Sequence, residues 1–157
     1  MQDANASEAA LRKAVTRGRV LGLVLCLAWP LILMAMIGGG AVRAGTFQPV
    51  GTLRTVAFVL MGLSLLSGGL VTWRTNRVLG GFSQVPRADR PRVAFREIVF
   101  YSALFELSCV YGLVYWMLVG RNAFHHVLTF MALTPIMFFL FVPGLNDWAQ
   151  ASEGTRV

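Results

Sequence analysis

The stretch from Glu97 to Gly120 reads EIVFYSALFELSCVYGLVYWMLVG and decides how this chain folds. After its first residue it holds a single charged side chain, Glu106, in a run long enough to cross a bilayer as a helix. A charge at the centre of such a helix costs about 2.5–3.5 kcal/mol on insertion scales. Membrane proteins that keep one usually turn it toward a bundle interior or a cavity and use it for protons, ions or substrate. We therefore expect Glu106 to carry the function.

The composition is that of an integral membrane protein. Hydrophobic residues make up 56% of the 157 positions and charged residues 13%, whereas a soluble domain has about 25% charged residues. The length allows one membrane domain, residues 1–157, and no separate soluble domain of any size. The net charge of +7 comes mostly from basic residues that flank apolar runs, where they set topology. We expect the lipid bilayer as a partner and no nucleic acid.

Four apolar runs predict an all-α protein with four transmembrane helices. Each run has about 18–22 residues, enough to span the hydrocarbon core. The predicted spans are 20–37, 56–73, 98–119 and 124–142. The polar segment 1–18 could form a short surface helix, and 74–97 is the longest connection. Pro30 and Pro135 lie inside apolar runs and are expected to kink their helices.

Basic residues cluster in two places and predict the orientation. Four precede the first run, namely Arg12, Lys13, Arg17 and Arg19. Six lie between the second and third runs, namely Arg74, Arg77, Arg87, Arg90, Arg92 and Arg96. The positive-inside rule then places the N-terminus, the 74–97 loop and the C-terminus in the cytoplasm. We expect a multi-pass protein of a prokaryotic inner (plasma) membrane.

The surroundings of Glu106 favour proton chemistry. On a helix its neighbours at three and four residues include Ser102 and Cys109, and no Lys or Arg occurs in any apolar run. Desolvation without a nearby cation favours the neutral, protonated carboxyl group. Ser102 is expected to hydrogen-bond that group. We expect a site that holds and releases a proton; the alternative is a neutral acid that only fixes helix packing.

The stretch ALFELSCVYGLV, Ala103 to Val114, resembles the second helix of the proteolipids (c subunits) of rotary ATP synthases and ATPases. That helix typically reads ALxExxxIYGLV. The segment GFSQVPRA, 81–88, is similar to the family's GIARQPEA loop. The likeness covers about residues 55–119. It implies a central helical hairpin with Glu106 as the ion carrier, and Tyr111 belongs to the same segment as a possible hydrogen-bond donor.

The resemblance also implies partners and an ion. In the family this loop meets other subunits, so Gln84, Pro86 and Arg87 are expected to contact a partner in a homo- or hetero-oligomer. Sodium-type members place Ser or Thr directly after the carboxylate, whereas here Leu107 follows Glu106. The expected ion is therefore a proton. The implied activity is proton translocation linked to a rotary ATPase, in which this chain is a non-catalytic subunit.

Two other functions stay open. The first helix of a c subunit carries alternating glycines, whereas 56–73 offers only Gly62, Gly68 and Gly69. A structural accessory subunit of a membrane complex is therefore an alternative. A small proton-coupled transporter is another, since small multidrug transporters also combine four spans with one membrane carboxylate, which theirs carry in the first helix.

The remaining polar residues predict no further site. Glu97 is expected to be a solvated acid at the membrane entry, favoured by the helix dipole. His125 and His126 fall at the start of the fourth run, and a haem would need a second histidine on a facing helix. Cys26 and Cys109 lack metal-ligand spacing and are expected to be buried apolar residues. No catalytic triad, metal or cofactor is expected.

Overall fold

The computed structural model describes residues 2–45 and 51–154 of the chain; the other positions of the predicted 1–157 domain lie outside the described residues. Six α-helices follow one another, namely α1 (Gln2–Gly38), α2 (Gly51–Gly81), α3 (Arg90–Phe105), α4 (Leu107–Val119), α5 (Phe124–Phe141) and α6 (Leu145–Glu153). Two short 3₁₀ helices cover Phe82–Gln84 and Gly120–Ala123. The described residues contain no strand, so the predicted all-α class is confirmed.

Four helical segments are long and apolar enough to cross a membrane. They run over Ala6–Gly38, Arg54–Gln84, Arg90–Asn122 and Phe124–Glu153. The structure therefore has four helical segments suited to be the four predicted spans. Large apolar side chains such as Leu31, Leu66 and Leu140 stand exposed on the outside of the bundle, which suits a surface that faces lipid.

The polar N-terminal segment is not a separate surface helix. Helix α1 runs from Gln2 to Gly38 without interruption, so residues 2–18 continue directly into the first span. Its Ala, Leu, Arg and Lys residues are strong helix formers, and no glycine turn intervenes before Gly38. The apolar run predicted the segment that can cross the membrane but not the full length of the helix.

The predicted connection over 74–97 is largely helical. Helix α2 continues to Gly81 and α3 begins at Arg90, which leaves only residues 82–89 between the two. Pro91 stands in the first turn of α3, where its missing N–H is not needed. The six arginines of this region therefore lie mainly on helix ends.

Backbone hydrogen bonds continue along the third span at Glu106. The Glu106 N–H donates to the Ser102 carbonyl at 3.2 Å, and the Val110 N–H donates to the Glu106 carbonyl at 3.2 Å. The Cys109 N–H also reaches the Glu106 carbonyl, at 3.0 Å. This three-residue bond tightens the turn toward 3₁₀ geometry. Helices α3 and α4 thus form one rod with a local irregularity at the acid.

The helices pack around two clusters of buried side chains. Helix α3 packs most extensively on α1, and α4 on α5, while α2 touches α3, α4 and α5 over smaller areas. One cluster, which includes Phe82, Tyr101 and Trp148, lies toward the end of the bundle that carries α6. The other, which includes Tyr115 and Val127, lies toward the opposite end.

The two ends of the bundle are closed differently. At one end the chain turns from α4 into α5 at Gly120, whose φ of +75° suits glycine and whose Cα faces the Gly45 backbone. At the other end α6, which the sequence did not predict, lays Trp148 against Phe82 with ring centroids 4.9 Å apart. We call this second end the basic end, because it holds the residue 82–89 connection and most of the arginines.

Candidate functional site: a buried acid between helices

Glu106 lies where the two buried clusters meet. Both of its carboxyl oxygens are buried and have no hydrogen-bond partner among the described residues. The side chain interacts with the thiols of Cys26 on α1 and Cys109 on α4. Cys26 belongs to the cluster at the basic end and Cys109 to the opposite cluster. The acid is therefore enclosed by the bundle.

Small residues on α1 close one side of this site. Gly18, Gly22 and Cys26 follow one another at four-residue spacing and face α3. A Cβ atom at Gly22 would overlap with Ser102 Oγ and would come within 2.7 Å of the Phe138 ring. Small residues at this spacing let two membrane helices approach closely. Helix α1 can therefore lie tight against α3 and shield the turn that holds Glu106.

Helix α5 closes another side. Cys109 Sγ and Thr134 Oγ1 lie 3.1 Å apart, and Thr134 Oγ1 donates to the Phe105 carbonyl at 3.3 Å. The Cys109 thiol thus lies between the Thr134 hydroxyl and the Glu106 carboxyl group. Ion pairs among the described residues involve Glu8 and Glu97. A carboxyl group that is buried without a cation favours its neutral form.

Ser102 and Tyr111, the predicted hydrogen-bond partners of Glu106, do not bond to it in the structure. Ser102 is fully buried, but its hydroxyl donates to the Ile98 carbonyl at 2.9 Å, so the expected hydrogen bond to Glu106 is not formed. Back-bonding of this kind is common for serine inside a helix. Tyr111 is half-buried, and at five residues from Glu106 it points about 140° away around the helix axis. Neither hydroxyl satisfies the acid.

The predicted partner-contact residues lie together at the basic end. Gln84, Pro86 and Arg87 are all exposed on the connection between α2 and α3. The Arg87 carbonyl accepts a long bond of 3.5 Å from the Ser7 hydroxyl of α1. Arg90 anchors the connection by donating to the carbonyls of Ser83 and Ser152, at 2.8 Å and 3.1 Å. The three exposed residues thus lie on a connection that the Arg90 hydrogen bonds hold in place.

Glu97 is not the solvated acid that the sequence predicted. The residue is only 2% exposed, and Arg74 Nε and Nη2 donate to its two oxygens at 2.7 Å and 2.9 Å. Arg96 lies farther away, at 3.5 Å. The prediction was wrong because α2 extends past the apolar run and brings Arg74 opposite Glu97. Arg74 also stacks on the Phe100 ring, 4.6 Å from its centroid.

Two buried hydroxyl groups lie beside this ion pair. Tyr101 Oη and Thr75 Oγ1 are buried, and neither completes a hydrogen bond among the described residues. The Tyr101 hydroxyl interacts with Thr75, Glu97 and Arg74 across the contact between α2 and α3. A polar cluster thus lies on the same span as Glu106, one to two turns toward the basic end.

The two histidines differ in exposure, and both cysteines are buried. His125 is exposed, and the His126 ring lies beside Tyr115 with centroids 5.6 Å apart. The two cysteines, Cys26 and Cys109, are free and buried, as predicted. In residues 2–45 and 51–154 no three His, Cys, Asp or Glu side chains come together as metal ligands.

Some of these residues could have been found in the sequence. The four-residue spacing of Gly18, Gly22 and Cys26 is visible in the sequence. Glu97 pairs with Arg74, which lies 23 positions earlier in the chain. A local sequence pattern cannot predict such a contact. Thr134 carries no signal, because a single threonine in an apolar run is ordinary.

No family model, characterised protein or solved structure matches this chain.

Proposed function

We propose that this chain is a proteolipid-like membrane subunit in which Glu106 reversibly binds a proton. The observation that supports the proposal most is that both Glu106 oxygens are buried within a membrane span without a hydrogen-bond partner or cation among the described residues. Burial favours the neutral form of such an acid. It loses its proton when water or a positive charge reaches it, which is the cycle a proton carrier needs.

The specific form of the proposal is proton translocation linked to a rotary ATPase. The segments Ala103–Val114 and 81–88 resemble those of c subunits. In this arrangement α2 and the third span act as the central hairpin, with both termini and the connection 82–89 on the cytoplasmic side. The exposed Gln84, Pro86 and Arg87 then face a partner subunit.

A structural accessory subunit is the second candidate. The space beside Gly68 on α2 is filled by the Met137 methyl group of the same chain, whereas a ring subunit would offer such a glycine to its neighbour. Glu106 is likewise enclosed by α1 and α5 of its own chain. This enclosure is also compatible with a small proton-coupled transporter, which exposes its acid alternately to the two sides.

Carbodiimide labelling tests the carboxyl group directly. Dicyclohexylcarbodiimide reacts with protonated carboxyl groups in an apolar setting, so we expect mass spectrometry of the purified protein to find the adduct on Glu106. Glu106→Gln should show no adduct there and should lose proton uptake in proteoliposomes. A folded wild-type protein that remains unlabelled, or a Glu106→Gln variant that supports proton uptake at the wild-type rate, would contradict the proposal.

Mass measurement in mild detergent separates the candidates. A ring or a complex with other membrane subunits fits the proteolipid-like and accessory functions. A particle of one or two copies that still takes up protons fits the transporter. A monomer without proton uptake would exclude the ring and leave a packing role for Glu106.

A further inference from the structure

A shallow groove lies between α1 and the start of α3 at the basic end of the bundle. It has a volume of about 310 Å³ and is lined by Ser7, Ala10, Arg87, Ala88 and Pro91. None of these described residues carries a carboxylate group, and the neighbouring acid in the chain, Asp89, does not line the groove. The lining is small and largely apolar, with one positive charge at Arg87.

The two helices beside the groove run in the same direction. Next to Gly18 of α1 lie Phe95 and Ile98 of α3. Four residues later along α1, Ser102 of α3 lies next to Gly22. The contact between the helices therefore follows both of them from the basic end toward the centre of the bundle, and the groove lies at its outer start.

Two further arginines lie on the helix faces that line the groove. Arg17 follows Ala10 by seven residues, which returns it to the same side of α1. The backbone before α3 is already helical, since the Arg90 N–H donates four residues back to a carbonyl group at 3.3 Å. Arg92 therefore lies one helical turn beyond Ala88 on the same side. Both arginines are exposed.

The three arginines of this groove have no partner in the protein. Among the described residues, the guanidinium groups of Arg17, Arg87 and Arg92 make no ion pair, hydrogen bond or ring contact. Five other arginines of the basic end are already engaged, namely Arg12, Arg74, Arg77, Arg90 and Arg96. The positive charge around the groove is thus left for a ligand from outside.

The depth of the arginines matches that of lipid head groups. Arg17 and Arg92 precede the apolar runs by three and six residues, which is roughly 4.5 Å and 9 Å along the helices. The head-group layer on each side of a bilayer is about 5–8 Å thick. Toward the hydrocarbon, the exposed surface becomes apolar at Leu21 and Phe95, which are 41% and 37% exposed. A ligand with an anionic head and an apolar tail fits both parts, whereas an acidic peptide would leave the apolar part uncovered.

We propose that this groove binds the head group of an anionic phospholipid. Arg17, Arg87 and Arg92 donate charge-assisted hydrogen bonds to the phosphate oxygens, and the acyl chains follow the apolar surface between α1 and α3. Basic pockets between membrane helices bind anionic head groups in this way. The site goes beyond the proton-binding role of Glu106 and does not depend on it. Gln84 and Pro86 stay exposed for a partner subunit.

Native mass spectrometry of the purified full chain measures the binding of one lipid at a time. We expect the wild type to bind phosphatidylglycerol more tightly than phosphatidylcholine with the same acyl chains. Arg17→Gln and Arg92→Gln should each weaken the binding of phosphatidylglycerol about fivefold, the contribution of one basic side chain near an anionic lipid. Arg77→Gln is the matched control, because Arg77 is exposed at the same end but lies on α2 and stacks on Trp73.

A second pair of variants tests the groove without changing any charge. Ala10→Leu fills the groove, whereas Ala9→Leu adds the same side chain at an exposed position of α1 that does not line it. We expect Ala10→Leu to weaken phosphatidylglycerol binding at least about fivefold and Ala9→Leu to leave it within about twofold of the wild type. Both substitutions introduce a good helix former, so the fold of α1 is kept.

Three results would overturn the lipid site. One is equal binding of phosphatidylglycerol and phosphatidylcholine by the wild type. Another is a loss in Arg77→Gln as large as in Arg92→Gln, or equal effects of the two leucine variants, since either would show general attraction to positive charge. The third is displacement of the bound lipid by an equal concentration of soluble glycerol 3-phosphate, which would identify a site for a free phosphate ester. None of these results affects the proton-binding role of Glu106.

Discussion

Glu97 and Glu106 lie on the same span, but only one of the two carboxyl groups has hydrogen-bond partners. Glu97 receives two hydrogen bonds from Arg74, whereas both oxygens of Glu106 are buried without a partner. A buried carboxylate with a bidentate arginine stays charged and stabilises the fold. Burial without such a partner disfavours the charged form of a carboxyl group. Glu97 is therefore the acid whose charge the fold stabilises, and Glu106 is not.

Replacement of each acid by methionine should change stability in opposite directions. Glu106→Met removes an unsatisfied buried carboxyl group, so we expect the free energy of unfolding to rise by about 1 kcal/mol. Glu97→Met leaves Arg74 without its partner and should lower the free energy of unfolding by about 2 kcal/mol. The loss is smaller than for a fully buried pair, because the Arg74 side chain is 40% exposed. Unfolding in mixed micelles with increasing dodecyl sulfate measures both. A loss at Glu106 as large as that at Glu97 would show that the Glu106 carboxylate has a stabilising partner.

The two arginines near Glu97 should differ in the same assay. Arg74→Gln breaks the bidentate contact and should cost about 2 kcal/mol. Arg96→Gln should cost less than about 0.5 kcal/mol, because Arg96 is 73% exposed and lies 3.5 Å from the carboxylate. Equal losses would mean that the carboxylate responds to the summed positive charge and not to the geometry of one pair.

At the scale of helices, the contact between α1 and α3 encloses the site. Gly22→Ala would push a methyl group into Ser102 Oγ, so we expect a loss of about 1–3 kcal/mol from overpacking. Gly69→Ala is the matched control on α2, where nothing lies within 4 Å of the added Cβ. There the better helix propensity of alanine should stabilise by up to about 1 kcal/mol. The same dodecyl sulfate titration compares the two variants, and a neutral Gly22→Ala would show that α1 does not press on α3.

The helices show which parts of the fold local sequence can predict. Hydropathy identified the four spans, because the cost of exposing polar groups to lipid acts on each run separately. It did not predict the helix ends, since the polar flanks of α1 and α2 are good helix formers that continue beyond the membrane. The spacing of Gly18, Gly22 and Cys26 indicates a close helix contact but does not identify α3 as the helix that fills it. The burial of Glu97 depends on Arg74 of another helix, and only the packed structure shows it.

At the scale of the whole molecule, the two ends of the bundle differ in charge and in closure. The basic end carries the residue 82–89 connection, braced by Arg90, with α6 folded over Phe82. The opposite end has few arginines and is closed by the Gly120 turn against Gly45. This difference in charge predicts which side of the membrane each end faces.

The positive-inside rule places the basic end in the cytoplasm, and two cysteine variants test this. Ser83→Cys lies at the basic end and Asn122→Cys at the opposite end, both at exposed positions. In intact cells we expect an impermeant thiol reagent to label Asn122→Cys at once and Ser83→Cys only after permeabilisation. The reverse pattern would place the basic end outside the cell and would contradict the predicted orientation. Because the labelling reports only which side each end faces, it tests the topology independently of whether Glu106 binds a proton.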